Sequence, residues 1–79
     1  MRLDKWLKVS RLIKRRTVAQ EACDNGLVSV NGRVAKPSAD VRAGDTVAIT
    51  FGSKTVCVEV LSTEESVRKD DASGMYKER

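Results

Sequence analysis

The sequence predicts an α+β fold in which two N-terminal helices pack on a small, mostly antiparallel sheet. Apolar residues recur at helical spacing near the N-terminus, the pattern changes to alternation after residue 26, and turn-forming pairs separate the alternating segments. The chain has 79 residues, which allow one domain, and 41% hydrophobic with 33% charged residues is the composition of a folded globule. We expect this domain to span residues 1–61 and a polar C-terminal tail to span residues 62–79.

The first helix is predicted from Leu3, Trp6 and Leu7, which lie at positions i, i+3 and i+4 and therefore share one helical face. At this spacing we assign Trp6 to the core rather than to stacking on a base. A basic stripe runs beside the apolar face at three-residue steps. It consists of Arg2, Lys5 and Lys8. A cationic connector is expected over residues 10–16.

The second helix is predicted to begin at Thr17, because Thr17 and Gln20 match a capping box, with a hydroxyl at the N-cap and an amide three residues later. Gly26 should end it, since glycine readily adopts the left-handed conformation found after many helices. Four small or apolar residues are expected on the buried face. They are Val18, Ala19, Ala22 and Cys23.

Alternating segments predict the sheet. The pair Asn31 and Gly32 lies between two of them and is typical of a two-residue hairpin, in which both turn positions have positive φ. Two further strands are expected over residues 46–51 and 55–61, separated by a turn at Gly52.

Catalytic chemistry has few candidate groups in this sequence. It contains no histidine and no phosphate-loop, dinucleotide-binding or nucleophile-elbow motif, so we expect neither an enzyme nor a metal or other cofactor. Cys23 and Cys57 lie outside any metal-binding spacing, and we expect both to be small, buried or half-buried side chains in a reducing compartment. No apolar run approaches the roughly 20 residues of a membrane span, and the N-terminus lacks a secretory signal, so the expected location is the cytoplasm.

Charge is the most informative feature. Residues 1–16 carry seven Lys or Arg against one Asp, whereas the remaining residues carry eight against ten acidic residues. Such segregation favours a surface that binds a polyanion. Attachment to an anionic membrane is disfavoured, because the apolar positions of the first helix are needed for the core. A helix-turn-helix contact with DNA is also disfavoured, because the cations precede the second helix instead of lining it.

A series of motifs resembles the S4-type RNA-binding domain family over about residues 1–61. In order, these motifs are Arg2-Leu3-Asp4-Lys5-Trp6-Leu7, Ser10-Arg11, Arg15-Arg16-Thr17 with Ala19 and Ala22, Gly26, Val28-x-Val30-Asn31-Gly32, Pro37-Ser38 and Gly44-Asp45. The resemblance implies an S4-like fold with the alpha-L motif, and a first pair of helices that contacts RNA. The candidate RNA-binding residues carried over are Arg2, Asp4, Lys5, Lys8, Arg11, Lys14, Arg15 and Arg16. Asp4 is expected to orient a neighbouring arginine or to accept a hydrogen bond from a ribose or base.

Within that family, the N-terminal motif resembles the small stand-alone proteins of bacterial ribosome-associated quality control. The resemblance implies binding to large-subunit rRNA and to peptidyl-tRNA in the P site of an obstructed large subunit. It also implies a functional partner, RqcH, which recruits alanyl-tRNA so that alanine tails are added to the stalled chain. We expect a monomer. The alternative is another rRNA-binding S4 adaptor, such as a ribosome-assembly factor.

Overall fold

The computed structural model describes residues 1–63 and 74–79, which form two helices and one sheet. The elements are α1 (Leu3–Val9), α2 (Arg16–Asp24), β1 (Val28–Val30), β2 (Arg33–Val34), β3 (Thr46–Phe51), β4 (Lys54–Val60) and β5 (Tyr76–Glu78). The strand order is β2-β1-β3-β4-β5, and every neighbouring pair is antiparallel. The predicted α+β class and its helix-then-sheet arrangement are confirmed.

The core lies between the two helices and one face of the sheet. Its largest fully buried side chain is Trp6, whose indole N–H donates a 2.9 Å hydrogen bond to the carbonyl oxygen of Ser62. The structural role predicted for Trp6 is therefore confirmed. Alternation along β3 and β4 buries every second side chain on this face. The fully buried members there are Val47, Ile49, Val58 and Val60.

The start of α1 is held by the loop that follows β2. The first N–H groups of a helix have no partner within the helix and need an acceptor elsewhere. Here the N–H of Leu3 donates to the carbonyl oxygen of Ala39 at 2.8 Å, and the N–H of Asp4 donates to that of Pro37 at 3.1 Å. An isolated antiparallel bridge also joins Arg2 to Asp40. The loop thereby fixes the position of the N-terminal cations.

The predicted start of α2 at Thr17 is wrong. The helix begins at Arg16, and Arg15 occupies the N-cap without a side-chain capping hydrogen bond. Gln20 does not reach back to the helix start, because its amide instead donates a 2.9 Å hydrogen bond to Asp4 of α1. The buried face also differs, since Val18 is 46% exposed while Ala19 is fully buried. The tertiary contact with Asp4 outweighs the local capping pattern.

The predicted ends of the helix and the hairpin are confirmed. Gly26 follows α2 with a φ of 73°. Its N–H donates to Cys23, and the N–H of Leu27 donates to Ala22, which is the hydrogen-bond pair of a Schellman motif. In the turn between β1 and β2, Asn31 and Gly32 have φ values of 52° and 83°, as a two-residue hairpin of this hand requires.

The C-terminal end differs from the predicted polar tail. Tyr76–Glu78 forms β5 at the edge of the sheet, beside β4. Met75 is 1% exposed, and its carbonyl oxygen accepts hydrogen bonds from the N–H groups of Leu61 and Ser62. Met75 in the core, Tyr76 packed against it and the backbone hydrogen bonds to β4 join this short segment to the sheet. The remainder of the predicted tail, residues 64–73, lies outside the described residues.

The two cysteines are free thiols in different surroundings. Cys23 is buried, as expected, whereas Cys57 is exposed on β4, so its predicted burial is wrong. Burial raises the pKa of the Cys23 thiol to about 11, and the nearby carboxylates of Asp4 and Asp24 add to the effect. Within residues 1–63 and 74–79 there is no group of three or more His, Cys, Asp or Glu side chains able to hold a metal ion. In the same part of the chain, neither helix is long and apolar enough to cross a bilayer.

Candidate nucleic-acid interface

A buried carboxylate on α1 organises the start of the cationic region. The Asp4 side chain is fully buried, yet both of its oxygens accept hydrogen bonds. Arg2 approaches it through Nη2 and Nε, each at 3.3 Å from one carboxylate oxygen. Arg16 approaches from α2, with Nη2 at 3.5 Å from Oδ1 and Nε at 3.4 Å from Oδ2. Gln20 Nε2 and the Lys5 backbone N–H complete the set at 2.9 and 2.7 Å.

These contacts keep Asp4 ionised. Burial alone raises the pKa of a carboxyl group, because it removes water from the charged form. At Asp4, hydrogen bonds from Gln20, Arg16 and the Lys5 N–H, together with the charge of Arg16, outweigh burial and hold its pKa below the ordinary value. The carboxylate is thus an internal anion that draws two guanidinium groups to one point.

Arg2 and Arg16 are both anchored and accessible. Their side chains are 52% and 40% exposed, although one edge of each guanidinium lies against Asp4. The Nε of Arg16 is buried and lacks hydrogen-bond geometry, so its contact with Asp4 is electrostatic. A planar guanidinium has five N–H donors, which leaves donors on the exposed side free to fork around a phosphate. Two such groups around one carboxylate carry a net charge of +1 and form a preorganised anion-binding pair.

The other predicted cations extend from this pair along α1 and the connector. Four of them are exposed and have no ion-pair partner in the described part of the chain. They are Lys8, Arg11, Lys14 and Arg15. Lys5 is half-buried beside Asp4. We call the seven cations of residues 1–16 the N-terminal basic segment. It is defined by Arg2, Lys5, Lys8, Arg11, Lys14, Arg15 and Arg16.

The connector places its cations by an unusual backbone conformation. Arg11 has a φ of 63°, in the left-handed region that favours glycine. In this conformation the N–H of Arg11 donates to Lys8, and the N–H of Ile13 donates to Leu7, which ends α1 and turns the chain. Ile13 is buried and anchors the connector to the core, while Arg11 faces solvent.

Two residues support the guanidinium pair without belonging to it: Asp4, which the sequence predicted as a site residue, and Gln20, which it did not. Asp4 is fully buried and covered by Arg2 and Arg16, which leaves it no exposed oxygen for a ribose or base in this structure, whereas its expected role in orienting arginine agrees with the geometry. Gln20 was missed as part of the site, because its spacing from Thr17 also fits a capping box. No local signal in the sequence relates Gln20 to Asp4, since the contact joins two different helices.

Comparison with known proteins agrees with this arrangement. The family model of the S4 domain matches residues 1–47, which include both helices and the β1–β2 hairpin. The structure of trimeric Vibrio cholerae Heat Shock Protein 15 superposes with a TM-score of 0.91 at 31% sequence identity, covering 100% of this chain and 81% of that one. The fold and the cationic helix pair therefore define an S4-domain protein of the RNA-binding class.

Relatives that match nearly the whole chain identify its group within the S4-domain proteins. The RQC P-site tRNA stabilizing factor of Streptococcus pneumoniae is 56% identical over 77 residues, covering 98% of this chain and 88% of that protein. The protein of the same name from Bacillus subtilis is 53% identical over 76 residues, covering 96% and 88%. This chain belongs to the S4-domain family of RQC P-site tRNA stabilizing factors.

Proposed function

We propose that this protein binds large ribosomal subunits obstructed by peptidyl-tRNA and stabilises the tRNA in the P site during bacterial ribosome-associated quality control. The observation that carries the proposal is the guanidinium pair of Arg2 and Arg16, which is held ready around the buried Asp4 carboxylate in a chain of this family. The protein acts by binding, and its relatives are named as stabilizing factors. Its site of action is the cytoplasm, where the ribosomes are.

The N-terminal basic segment recognises RNA through its shape and its phosphates. Rigid helices can contact the backbone of folded RNA without reading a single-stranded sequence. The anchored pair provides forked contacts, and the exposed cations of the connector add charge along the same chain segment. The apolar face of α1 is not available for contact with a membrane, because Leu3, Trp6 and Leu7 are fully buried.

A sucrose-gradient experiment tests the proposal. Tagged protein is expected to sediment with large subunits that carry peptidyl-tRNA, and to be absent from large subunits from which the tRNA has been removed. Sedimentation with immature subunits that lack tRNA would instead support a ribosome-assembly role and contradict the proposal. Binding to duplex DNA in preference to ribosomal RNA in a competition assay would contradict it as well.

The contact surface is tested with variants that leave the Asp4 cluster intact. Arg16 is unsuitable, because Arg16→Glu would place a second carboxylate against Asp4. Arg15→Glu changes an exposed, unpaired cation, and we expect it to weaken subunit binding by about 10-fold to 100-fold, the scale of one charge-assisted contact. Arg33→Glu on β2 is the control, since it makes the same charge change outside the N-terminal basic segment. Equal loss in both variants would point to nonspecific charge.

The proposal extends to the partner and the assembly state. We propose that the bound protein supports alanine tailing by RqcH and does so as a monomer, whose hydrophobic core is formed within one chain. A tailing reaction reconstituted with RqcH should lose alanine addition when Arg15→Glu replaces the wild type and retain it with Arg33→Glu. Light scattering should give the mass of one chain. A stable trimer in solution would overturn the monomer.

A further inference from the structure

A cleft beside the N-terminal basic segment has features that the phosphate contacts leave unused. It lies between the end of α2, strand β2 and the loop that holds α1, and its volume is about 500 Å³. Ligand pockets in proteins usually have volumes of about 300–1,000 Å³, so the cleft has room for one nucleotide. The residues that matter to the argument are Arg2, Asp24, Lys36, Pro37 and Ser38.

Asp24 is poorly explained by stability. It is the last residue of α2, where the negative end of the helix disfavours a carboxylate. It is exposed and has no hydrogen-bond or ion-pair partner among residues 1–63 and 74–79. Its charge also helps to raise the pKa of the buried Cys23 thiol, which lines the same cleft. An unpartnered anion at an unfavourable position is consistent with a role in binding a ligand.

Lys36 gives the cleft a cation that Asp24 does not neutralise. It is exposed and, in the described chain, forms no ion pair, although it and Asp24 line the same cleft. Pro37, which is half-buried, and Ser38 come next in the loop and add an apolar ring and a hydroxyl. The cleft therefore combines an acceptor, a cation and an apolar surface.

Arg2 connects this cleft to the N-terminal basic segment. Its guanidinium is fixed by Asp4, and the same residue lines the cleft. A phosphate held by the exposed side of Arg2 would therefore lie beside the cleft, and the cleft could receive the base of an adjacent nucleotide. Proteins that recognise single-stranded RNA commonly form hydrogen bonds to the Watson–Crick edge of an unstacked base.

We propose that the cleft is a subsite for one unpaired guanine nucleotide of the bound RNA. This inference rests on the proposed RNA-binding function. Asp24 accepts hydrogen bonds only, and the Watson–Crick edge of guanine presents N1–H and N2–H side by side, whereas the other three bases present fewer adjacent donors. Lys36 and Arg2 bind the phosphates on either side of the base, and Pro37 packs against it.

Titration with free nucleotides tests the subsite directly. Guanosine, adenosine, cytidine and uridine 5′-monophosphates are added in turn to the full chain, and backbone amide signals are followed by NMR. Guanosine monophosphate is expected to shift the signals of Gly26, Ala35, Lys36 and Ser38 at lower concentration than the other three nucleotides. Equal shifts with all four would reduce the site to a phosphate contact and overturn the proposal, as would unchanged cleft signals.

Matched variants separate the base from the phosphate. Asp24→Ala should lower the affinity for guanosine monophosphate by about tenfold, within the range of a bidentate base contact, and should abolish the preference for guanine. Glu21→Ala, one turn earlier on α2, should change neither the affinity for guanosine monophosphate nor the preference for guanine. Lys36→Ala should weaken the binding of all four nucleotides alike, whereas Lys54→Ala, in β4, should leave their affinities unchanged. Retention of the guanine preference in Asp24→Ala would contradict the assigned contact.

Failure of the subsite can be distinguished from failure of the proposed function. The same variants are measured for binding to large subunits that carry peptidyl-tRNA. Wild-type binding to subunits together with unresponsive cleft signals would overturn the subsite alone. A guanine-selective cleft in a protein that does not bind subunits would overturn the proposed function while retaining the nucleotide site.

Discussion

At the scale of single residues, Asp4 organises the candidate interface, because its buried carboxylate holds the guanidinium groups of two arginines in place. Arg2, just before α1, and Arg16 and Gln20, both on α2, meet at its two oxygens. We therefore expect this carboxylate to contribute both to stability and to RNA binding. Both contributions can be separated by pH and by a neutral replacement.

Asp4→Asn is expected to lower the free energy of unfolding at neutral pH by about 1–3 kcal/mol, since hydrogen bonds to a charged group are weakened and the arginines are partly solvated. The folded-state pKa of Asp4 is lowered, so its stabilisation is present above the ordinary pKa of about 3.9 and is lost as pH falls through the folded value. Urea denaturation from neutral pH down to about pH 3 should show the wild type approaching the variant. A constant difference across this range would contradict the assignment.

Asp40 serves as the control for that pH dependence. Hydrogen bonds from the N-terminal amine and from Arg42 also lower the pKa of Asp40, so its titration contributes to the same acid limb. When Asp40→Asn is introduced into both the wild type and Asp4→Asn, the pH-dependent difference in their free energies of unfolding should remain. RNA affinity should fall in Asp4→Asn, because the guanidinium pair loses its common anchor.

Arg11 gives a second prediction at this scale, because its charge and its backbone conformation have opposite effects. A non-glycine residue in the left-handed region costs about 1 kcal/mol, so Arg11→Gly should raise the free energy of unfolding by about that amount. The same change removes an exposed cation and should weaken RNA binding. Arg11→Ala is the matched control, as it removes the charge and keeps the strain. Thermal unfolding and RNA titration of both variants check this, and a less stable glycine variant would refute it.

At the scale of secondary-structure elements, segments distant in sequence position the helices. The loop after β2 supplies acceptors to the first N–H groups of α1, and Ser62 accepts the indole N–H of Trp6. Strand β5 forms one edge of the sheet beside β4, and Met75, just before it, lies in the core. The C-terminal end is therefore part of the folded unit that supports the basic segment.

Met75→Ala is expected to lower the free energy of unfolding by about 2–5 kcal/mol, the usual cost of truncating a buried methionine. Lys77→Ala, two residues later in β5, should change the free energy of unfolding by no more than about 0.5 kcal/mol, because its side chain is exposed. Urea denaturation of the two variants compares a core role with a solvated one. Identical midpoints would show that the C-terminal strand contributes nothing to stability.

At the scale of the whole molecule, the net positive charge is concentrated in residues 1–16. The affinity for RNA should therefore depend on salt concentration, because binding releases counterions from the phosphates. If the N-terminal basic segment neutralises about six phosphates, a plot of log affinity against log salt concentration should have a slope of about −4 to −5. Arg15→Ala should reduce the magnitude of this slope by about one, whereas Arg33→Ala should not change it. A slope near zero for the wild type would contradict a phosphate-based interface.

The sequence alone determined the local elements, because their physical causes are local. Period-3.6 and period-2 patterns identify α1 and the two long strands, and positive-φ residues such as Gly26 and Asn31 identify the ends of α2 and the hairpin. The concentration of cations in residues 1–16 likewise requires no coordinates. These features depend on neighbours in the chain, so they can be predicted from it.

Only the tertiary structure decided how Asp4, Arg16 and Gln20 meet, that the cleft beside Arg2 exists, and that Met75 returns to the core. Each depends on a contact between residues far apart in sequence, whose geometry no periodicity encodes. Gln20 shows the reason most clearly: its local pattern permits a capping hydrogen bond, but a buried carboxylate on another helix is a stronger acceptor, and the charge-assisted contact prevails.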